Sequence, residues 1–330
     1  MLIKKFRKYQ FSTPLVLLLS GLVLWLDGFI LYSRVNISLE EAAPLYNLVG
    51  GLFKNYPLLN VSLAFVFLYF QSFMVNQLVT SKNLIDRQSF LPGFLYLVLM
   101  SSSIEMLSLH PVLFANFFLI IALNKILEVY DEKDVMLEVF NVGMLISLAG
   151  LFYFPALVLF ILLIIALGIY FLANLRGVIA SLLGFLTPFL FLGVYYYWRD
   201  VLALKVEELF SGFGVFHIFR QDFSAFSKVY GVFLLVLAFF AFLSLVFRYL
   251  GDKPVRIRKR FTVVLYYFMV SVVSAFFVTH YFDVLYGLFM LPLSIVLAVF
   301  FQEIKRNVWA EVLFSLMIFL IVAGKLARLD

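Results

Sequence analysis

The chain has no cysteine, which excludes disulfide staples, thiolate catalysis and cysteine-based metal sites. Histidine is nearly as scarce. His110, His217 and His280 are far apart in sequence, so no metal cluster is visible. Charged residues make up only 13% of the 330, where a soluble domain carries about a quarter. The motifs of nucleotide-binding loops, zinc-protease helices and serine-hydrolase elbows are missing, so soluble-type catalysis built on them is not expected. No low-complexity tract and no repeat of soluble type is found.

What fills the chain instead is apolar. Hydrophobic residues reach 65% and the mean hydropathy is +1.07. A soluble fold of this size has too much surface to hide so much Leu, Phe and Val. The apolar runs are continuous rather than alternating, which argues against a membrane barrel. The expected fold class is therefore all-α: a polytopic transmembrane helical bundle forming a single domain over 1–330. A span needs about 20 apolar residues. Eleven runs qualify: 13–32, 57–79, 89–107, 111–127, 138–153, 155–173, 177–197, 229–248, 261–279, 284–301 and 308–324. Phe154-Pro155 marks either a tight hairpin or a kink in one longer helix, and little more than His110-Pro111 separates the third run from the fourth. The first thirty residues have the basic-then-apolar order of a signal peptide, but no small-residue cleavage site follows, so they read as a retained first helix.

Charge orients this map. With the N-terminus in the cytoplasm, 17 of the 25 Lys and Arg residues fall on the cytoplasmic side, the bias that the positive-inside rule predicts. The chain is expected in the bacterial inner membrane, with the C-terminus outside. The densest cluster, from Arg248 to Arg260, lies in a short inner loop; it reads as a topology determinant or, more sharply, as a seat for anionic lipid headgroups or a phosphorylated partner. Topology thus accounts for the net charge of +6 without a nucleic-acid partner. The 42 Phe residues suit lipid contact and interhelix packing, and Tyr195, Tyr196, Tyr197 and Trp198 suit an outer aromatic belt.

Two outer loops are long, 33–56 and 199–228, and long loops without a domain of their own tend to be functional. Each holds a candidate interfacial helix, near 39–53 and 200–210. In the first, Ser38 and Glu41 have capping-box spacing, and Leu45, Leu48, Leu52 and Phe53 share a face. Polar chemistry gathers on this side: Asp27 at the end of the first span, Glu40 and Glu41, then Glu207, Glu208, His217, Arg220 and Asp222, with Glu105, His110, His280 and Asp283 at other outer turns. Such groups could supply a general base and hold a phosphate leaving group. Structural roles compete with that reading. Asp27 would snorkel or pair with Arg34, Glu40 and Glu41 would start a solvated helix, His110 would serve the turn before Pro111, and His217 would act as an interfacial ring.

The layout resembles that of GT-C-class glycosyltransferases, polytopic enzymes that use polyprenyl-phosphate sugars. Two long outer loops follow the first and seventh spans, an acidic residue stands near the outer end of the first, and FNVGMLISLAGLFYFPALVLFILLIIAL (140–167) is similar to a Gly-rich helix running through a turn into an apolar helix. The Lys common in that turn is replaced by Phe152-Tyr153-Phe154, and the paired acidic motif is missing. The resemblance covers about 1–230. It implies Asp27 as the catalytic carboxylate, with Glu40 or Glu41 as alternatives. It implies Arg34, Arg199 or Arg220 at the lipid phosphate, a polyprenyl-phosphate-linked sugar as donor, and a divalent metal as the cofactor of such an enzyme. The whole chain also resembles an uncharacterised family of Phe-rich polytopic proteins from Bacteroidota. Two other functions stay open: a non-catalytic subunit of a secretion or glycan-export assembly, and a small-molecule transporter with Asn76, Asn116 or Asn141 in mid-span.

Overall fold

A computed structural model describes residues 6, 12–30, 43–53, 55–85, 89–129, 135–172, 174–211, 225–274, 282–304 and 307–326. Among these the chain is all helix and turn, with no strand. The helices are α1 (Thr13–Ile30), α2 (Pro44–Phe53), α3 (Pro57–Ser81), α4 (Leu91–Met100), α5 (Pro111–Glu128), α6 (Val135–Phe152), α7 (Phe160–Ile169), α8 (Leu175–Trp198), α9 (Leu202–Ser211), α10 (Ala225–Ser244), α11 (Val255–Ser274), α12 (Phe282–Glu303) and α13 (Asn307–Leu326). A 3₁₀ turn, Phe154–Leu159, leads into α7, and a π-helical turn, Leu245–Tyr249, ends α10.

Seven helical stretches among the described residues are long and apolar enough to cross a membrane: α1, α3, α5, α6, α8, Val229–Tyr249 in α10 with its π turn, and Val308–Leu326 in α13. Three apolar stretches are shorter: Leu91–Met100, Phe154–Ile169 and Gly287–Glu303. The protein is a membrane protein built as a helical bundle. Helix boundaries follow local chemistry. Pro57 and Pro111 sit where a missing N–H costs nothing, at helix starts. Asn174 Oδ1 accepts from Gly177 N–H at 2.7 Å to cap α8. Pro155 ends the α6 run, so the helix breaks at Tyr153 and resumes through the 3₁₀ turn.

The core is formed by two of the shorter apolar stretches. All ten residues of α4 are buried, and so is most of α12 from Leu288 to Phe301. They pack on each other, with α1 and α3 around α4 and with α5, α10 and α11 around α12. Aromatic rings fill the seams: Phe152 stacks on Phe114 and Phe118 at 5.1 and 5.6 Å where α6 meets α5. By contrast α8 buries little beyond Gly177, Ser181, Gly184 and Pro188, and it leans on α6 through them. Small residues permit that approach. A Cβ at Gly184 would overlap the carbonyl of Phe140, and one at Gly143 the carbonyl of Ser181.

One end of the bundle, here the basic end, gathers the turns near 82, 128, 171 and 250. Lys82 pairs with Glu128, which also accepts from Asn124 Nδ2 at 3.2 Å. The buried Arg260 donates to Lys82 O at 2.8 Å and to Leu127 O at 3.2 Å. Tyr249 O–H donates to Leu84 O at 2.7 Å, and Lys125 pairs with Glu138 at 2.6 Å. The basic cluster therefore differs from a plain loop: residues 255–260 form the first turns of α11, with Arg260 turned into the protein.

Two runs end differently from their apolar extent. Over 89–107 the helix stops at Met100, and the chain from 101 to 110 is irregular yet largely buried. Over 261–279 the helix begins earlier, at Val255, and 275–279 lie outside the described residues.

The α6–α8 seam makes a direct prediction. Gly184→Leu forces a side chain against the Phe140 carbonyl and costs about 1–3 kcal/mol or more. It lowers the melting temperature of the detergent-solubilised protein. Gly231→Leu, where a Cβ meets nothing within 4 Å, leaves that temperature unchanged.

Candidate functional site: the polar layer opposite the basic end

Where α4 stops, the sequence SSSIEMLSLH (101–110) cannot go on as an apolar helix. Its serines compete for backbone partners. Inside a bundle in lipid, non-helical backbone persists only if protein groups satisfy it. Two neighbours do so at Leu109, and a third holds the Ser101 side chain. Trp25 Nε1–H on α1 donates to Ser101 Oγ at 2.8 Å, and Ser101 in turn donates to Leu97 O at 2.7 Å. Asn60 Oδ1 on α3 accepts from Leu109 N–H at 2.8 Å, and Tyr46 O–H on α2 donates to Leu109 O at 2.8 Å. The first long loop is thereby fastened to the core. Its interfacial helix runs from Pro44 to Phe53, within the expected 39–53; residues 38–42 lie outside the described residues. Leu48 and Leu52 are exposed as expected, whereas Phe53 packs inward against the core.

His110 closes the segment and starts α5. Its Nδ1 accepts from Leu113 N–H at 3.2 Å, so it serves the turn before Pro111 as a cap. That bond leaves the second nitrogen, Nε2, to carry the proton, and it is buried with no hydrogen-bond partner among the described residues. Burial pushes the imidazole down from 6.5 to about 3. Asn60 Nδ2 and Ser103 Oγ are also buried without partners among the described residues. Deeper in the bundle a chain of polar groups links α3, α4, α5 and α12. Gln71 Nε2 donates to Leu113 O at 2.8 Å, and Tyr96 O–H donates to Gln71 Oε1 at 2.7 Å. Asn116 Nδ2 donates to Gly287 O at 2.9 Å and approaches the Tyr96 hydroxyl at 3.2 Å.

Two opposite charges flank this layer. Asp27, half-buried near the end of α1, acts electrostatically on Lys325 of α13. Lys325 is only 2% exposed and donates to Leu24 O at 2.6 Å. Of the other residues singled out from the sequence, Arg199 ends α8, exposed, 5.6 Å over the Tyr195 ring. In the packing order α6, α5 and α3 separate α8 from α1, so Arg199 and Asp27 belong to different flanks. Arg34, Glu40, Glu41, His217, Arg220 and Asp222 lie outside the described residues. Glu105 is half-buried in the irregular segment. Among the described residues no three His, Asp or Glu side chains gather as a metal site would require.

Sequence reasoning counted Lys325 only as an outer loop charge. Its signal was a cation directly after the last apolar run, of opposite sign to Asp27. Trp25, Tyr46 and Asn60 gave no signal, because their partners, the Ser101 hydroxyl and the Leu109 backbone, are 49 to 76 residues away.

The sign of the His110 effect is fixed by linkage. In the unfolded chain the imidazole takes a proton near 6.5, while in the folded protein it stays neutral until about 3. The unfolded state therefore binds more protons in that window, so stability falls as pH drops from 6.5 toward 3. His110→Asn keeps a cap acceptor and removes the titration, and it flattens this part of the pH–melting curve. An unchanged curve in the variant would contradict the burial argument.

No curated protein matches the chain in sequence. The family model described as "Family of unknown function (DUF6427)" matches residues 46–329, from the middle of α2 to beyond the end of α13. The chain belongs to this family, DUF6427.

Proposed function

We propose that the protein is a multi-pass protein of the bacterial inner membrane, with its N-terminus in the cytoplasm, that acts on a lipid-linked substrate at its outer face. The observation that carries this reading is that the buried Lys325 donates to Leu24 O, about one turn before Asp27, so that two opposite charges stand near each other at this end of the bundle. Ionisable groups inside spans are costly, and they are most often kept for a function. Lys325 supplies the compensating charge that a carboxylate at that depth requires, which makes it a positioning residue for Asp27.

The reaction we assign is glycosyl transfer from a polyprenyl-phosphate-linked sugar, the chemistry that the GT-C-like layout implies. Asp27 takes the proton of the acceptor hydroxyl, and the acceptor oxygen bonds to the anomeric carbon. The bond from that carbon to the phosphate oxygen breaks, and the lipid phosphate leaves with the electron pair. Arg34 or Arg220 holds the departing charge, since Arg199 stands on another flank. Glu40 and Glu41, in the stretch before α2, are the alternative bases, and with Asp27 they are the residues that would hold a divalent metal. A second reading, a non-catalytic subunit of an envelope assembly, is favoured by α8. That helix leans on α6 and offers Leu186, Leu190, Phe191 and Val194 outward, a face that another membrane protein could cover.

In cells lacking the chain, the glycosyl-transfer reading expects a lipid-linked sugar to accumulate and its glycan product to fall. Wild-type protein restores both levels. Asp27→Asn, at equal abundance in the membrane, does not, and Lys325→Met restores them only in part. Full restoration by Asp27→Asn together with a Glu40→Gln/Glu41→Gln variant excludes the enzyme and leaves the subunit.

Orientation has its own test, since the chain lacks cysteine and one added thiol is an unambiguous probe. In intact cells an impermeant maleimide labels Asp200→Cys and spares Asp252→Cys. The reverse pattern would invert the proposed topology.

A further inference from the structure

A groove of about 490 Å³ runs between α10, α12 and α13, away from the polar layer. Its size is within the range of ligand sites, on the order of 300–1,000 Å³. Phe233, Leu237 and Phe240 line one wall, Phe300 and Leu313 the other. At its basic end stand two opposite charges, Arg248 and Glu303, both exposed. Neither pairs with the other, nor with any other described residue, in an ion pair within 4.0 Å. The π-helical turn Leu245–Tyr249 carries Arg248 and leaves Phe247, another lining residue, 78% exposed at the rim. Such turns are rare and are found frequently at functional sites.

We propose that this groove seats one phospholipid with a phosphoethanolamine headgroup, drawn from the leaflet at the basic end. An acyl chain fits the apolar trough, where phenylalanine and leucine give no polar competition. The headgroup meets the two charges in turn: its phosphate accepts from the Arg248 guanidinium, and its ammonium donates to the Glu303 carboxylate. Charge complementarity selects this lipid. A phosphoglycerol headgroup satisfies Arg248 but brings a net negative charge beside Glu303. A phosphocholine headgroup has no N–H to donate to that carboxylate. The primary ammonium of phosphoethanolamine satisfies both residues.

The test uses the full-length protein in nanodiscs made from equal parts of phosphatidylethanolamine, phosphatidylglycerol and phosphatidylcholine with identical acyl chains. Lipid that survives progressive detergent washing is counted by native mass spectrometry. The wild-type protein retains one phosphatidylethanolamine, enriched about tenfold over each of the others, the factor one charge-assisted hydrogen bond supplies. Arg248→Gln loses the retained lipid. Glu303→Gln keeps a lipid but no longer prefers phosphatidylethanolamine to phosphatidylglycerol. Leu313→Trp fills the trough without touching either charge and lowers occupancy of every lipid. Equal enrichment of phosphatidylglycerol by the wild-type protein overturns the headgroup assignment. Undiminished phosphatidylethanolamine in correctly folded Arg248→Gln and Leu313→Trp overturns the site.

Discussion

Backbone left outside a helix within an apolar bundle has no water to turn to, and each unpaired amide or carbonyl there costs several kcal/mol. The segment from Ser101 to His110 meets that constraint by drawing Tyr46 from α2 and Asn60 from α3 onto the Leu109 backbone, while Trp25 from α1 holds the Ser101 hydroxyl. Those bonds explain why α2 is docked rather than free and why α1 lies against the break in α4. They also explain why polar side chains collect at this end and not in the α6–α8 flank, where small residues and close backbone contact suffice. His110 belongs to the same solution, since a cap at the start of α5 lets the helix resume at once.

The basic end solves a different problem. Lysines and arginines that orient a membrane protein would be idle charges if they served only that purpose. Here several also close the structure: Lys82 pairs with Glu128, and Arg260 holds the carbonyls of two turns from its place on α11. Lys253 and Lys259 add contacts to the faces of Tyr249 and Phe171, each at 4.4 Å. The two ends are thus tied by different chemistry: charge to carboxylate and carbonyl at one, and hydroxyl and amide to backbone with indole to hydroxyl at the other.

Much of this was legible in the sequence. Each of the eleven apolar runs corresponds to helix in part or whole, and α2 and α9 appear where interfacial helices are expected, because hydropathy and helix-start chemistry are local signals. The stop at Met100 is not visible in hydropathy, since Ile104, Met106, Leu107 and Leu109 keep the run apolar; the serines were the better guide. The nearness of Asp27 to Lys325 is non-local by nature, and Arg34, closer in sequence, offered itself as a partner. Family membership matches the expected resemblance to an uncharacterised family and adds no activity to it. The candidate site therefore rests on groups brought together only by the fold.

The placement of α12 bears on how the protein is made. This helix lies at the centre of the bundle, and its Gly287 carbonyl accepts from Asn116, a residue 171 positions earlier; Lys325 reaches back 301 positions to Leu24. Helices enter the bilayer in chain order, so α3, α4 and α5 arrive well before the element that completes their surroundings. In the interval Asn116 has only the Tyr96 hydroxyl and the Met100 sulfur of α4 to turn to, and α1 carries Asp27 without Lys325 nearby. The bundle is therefore finished from its last two helices inward, and biogenesis leaves its first half waiting in the membrane for a centre that has yet to be synthesised.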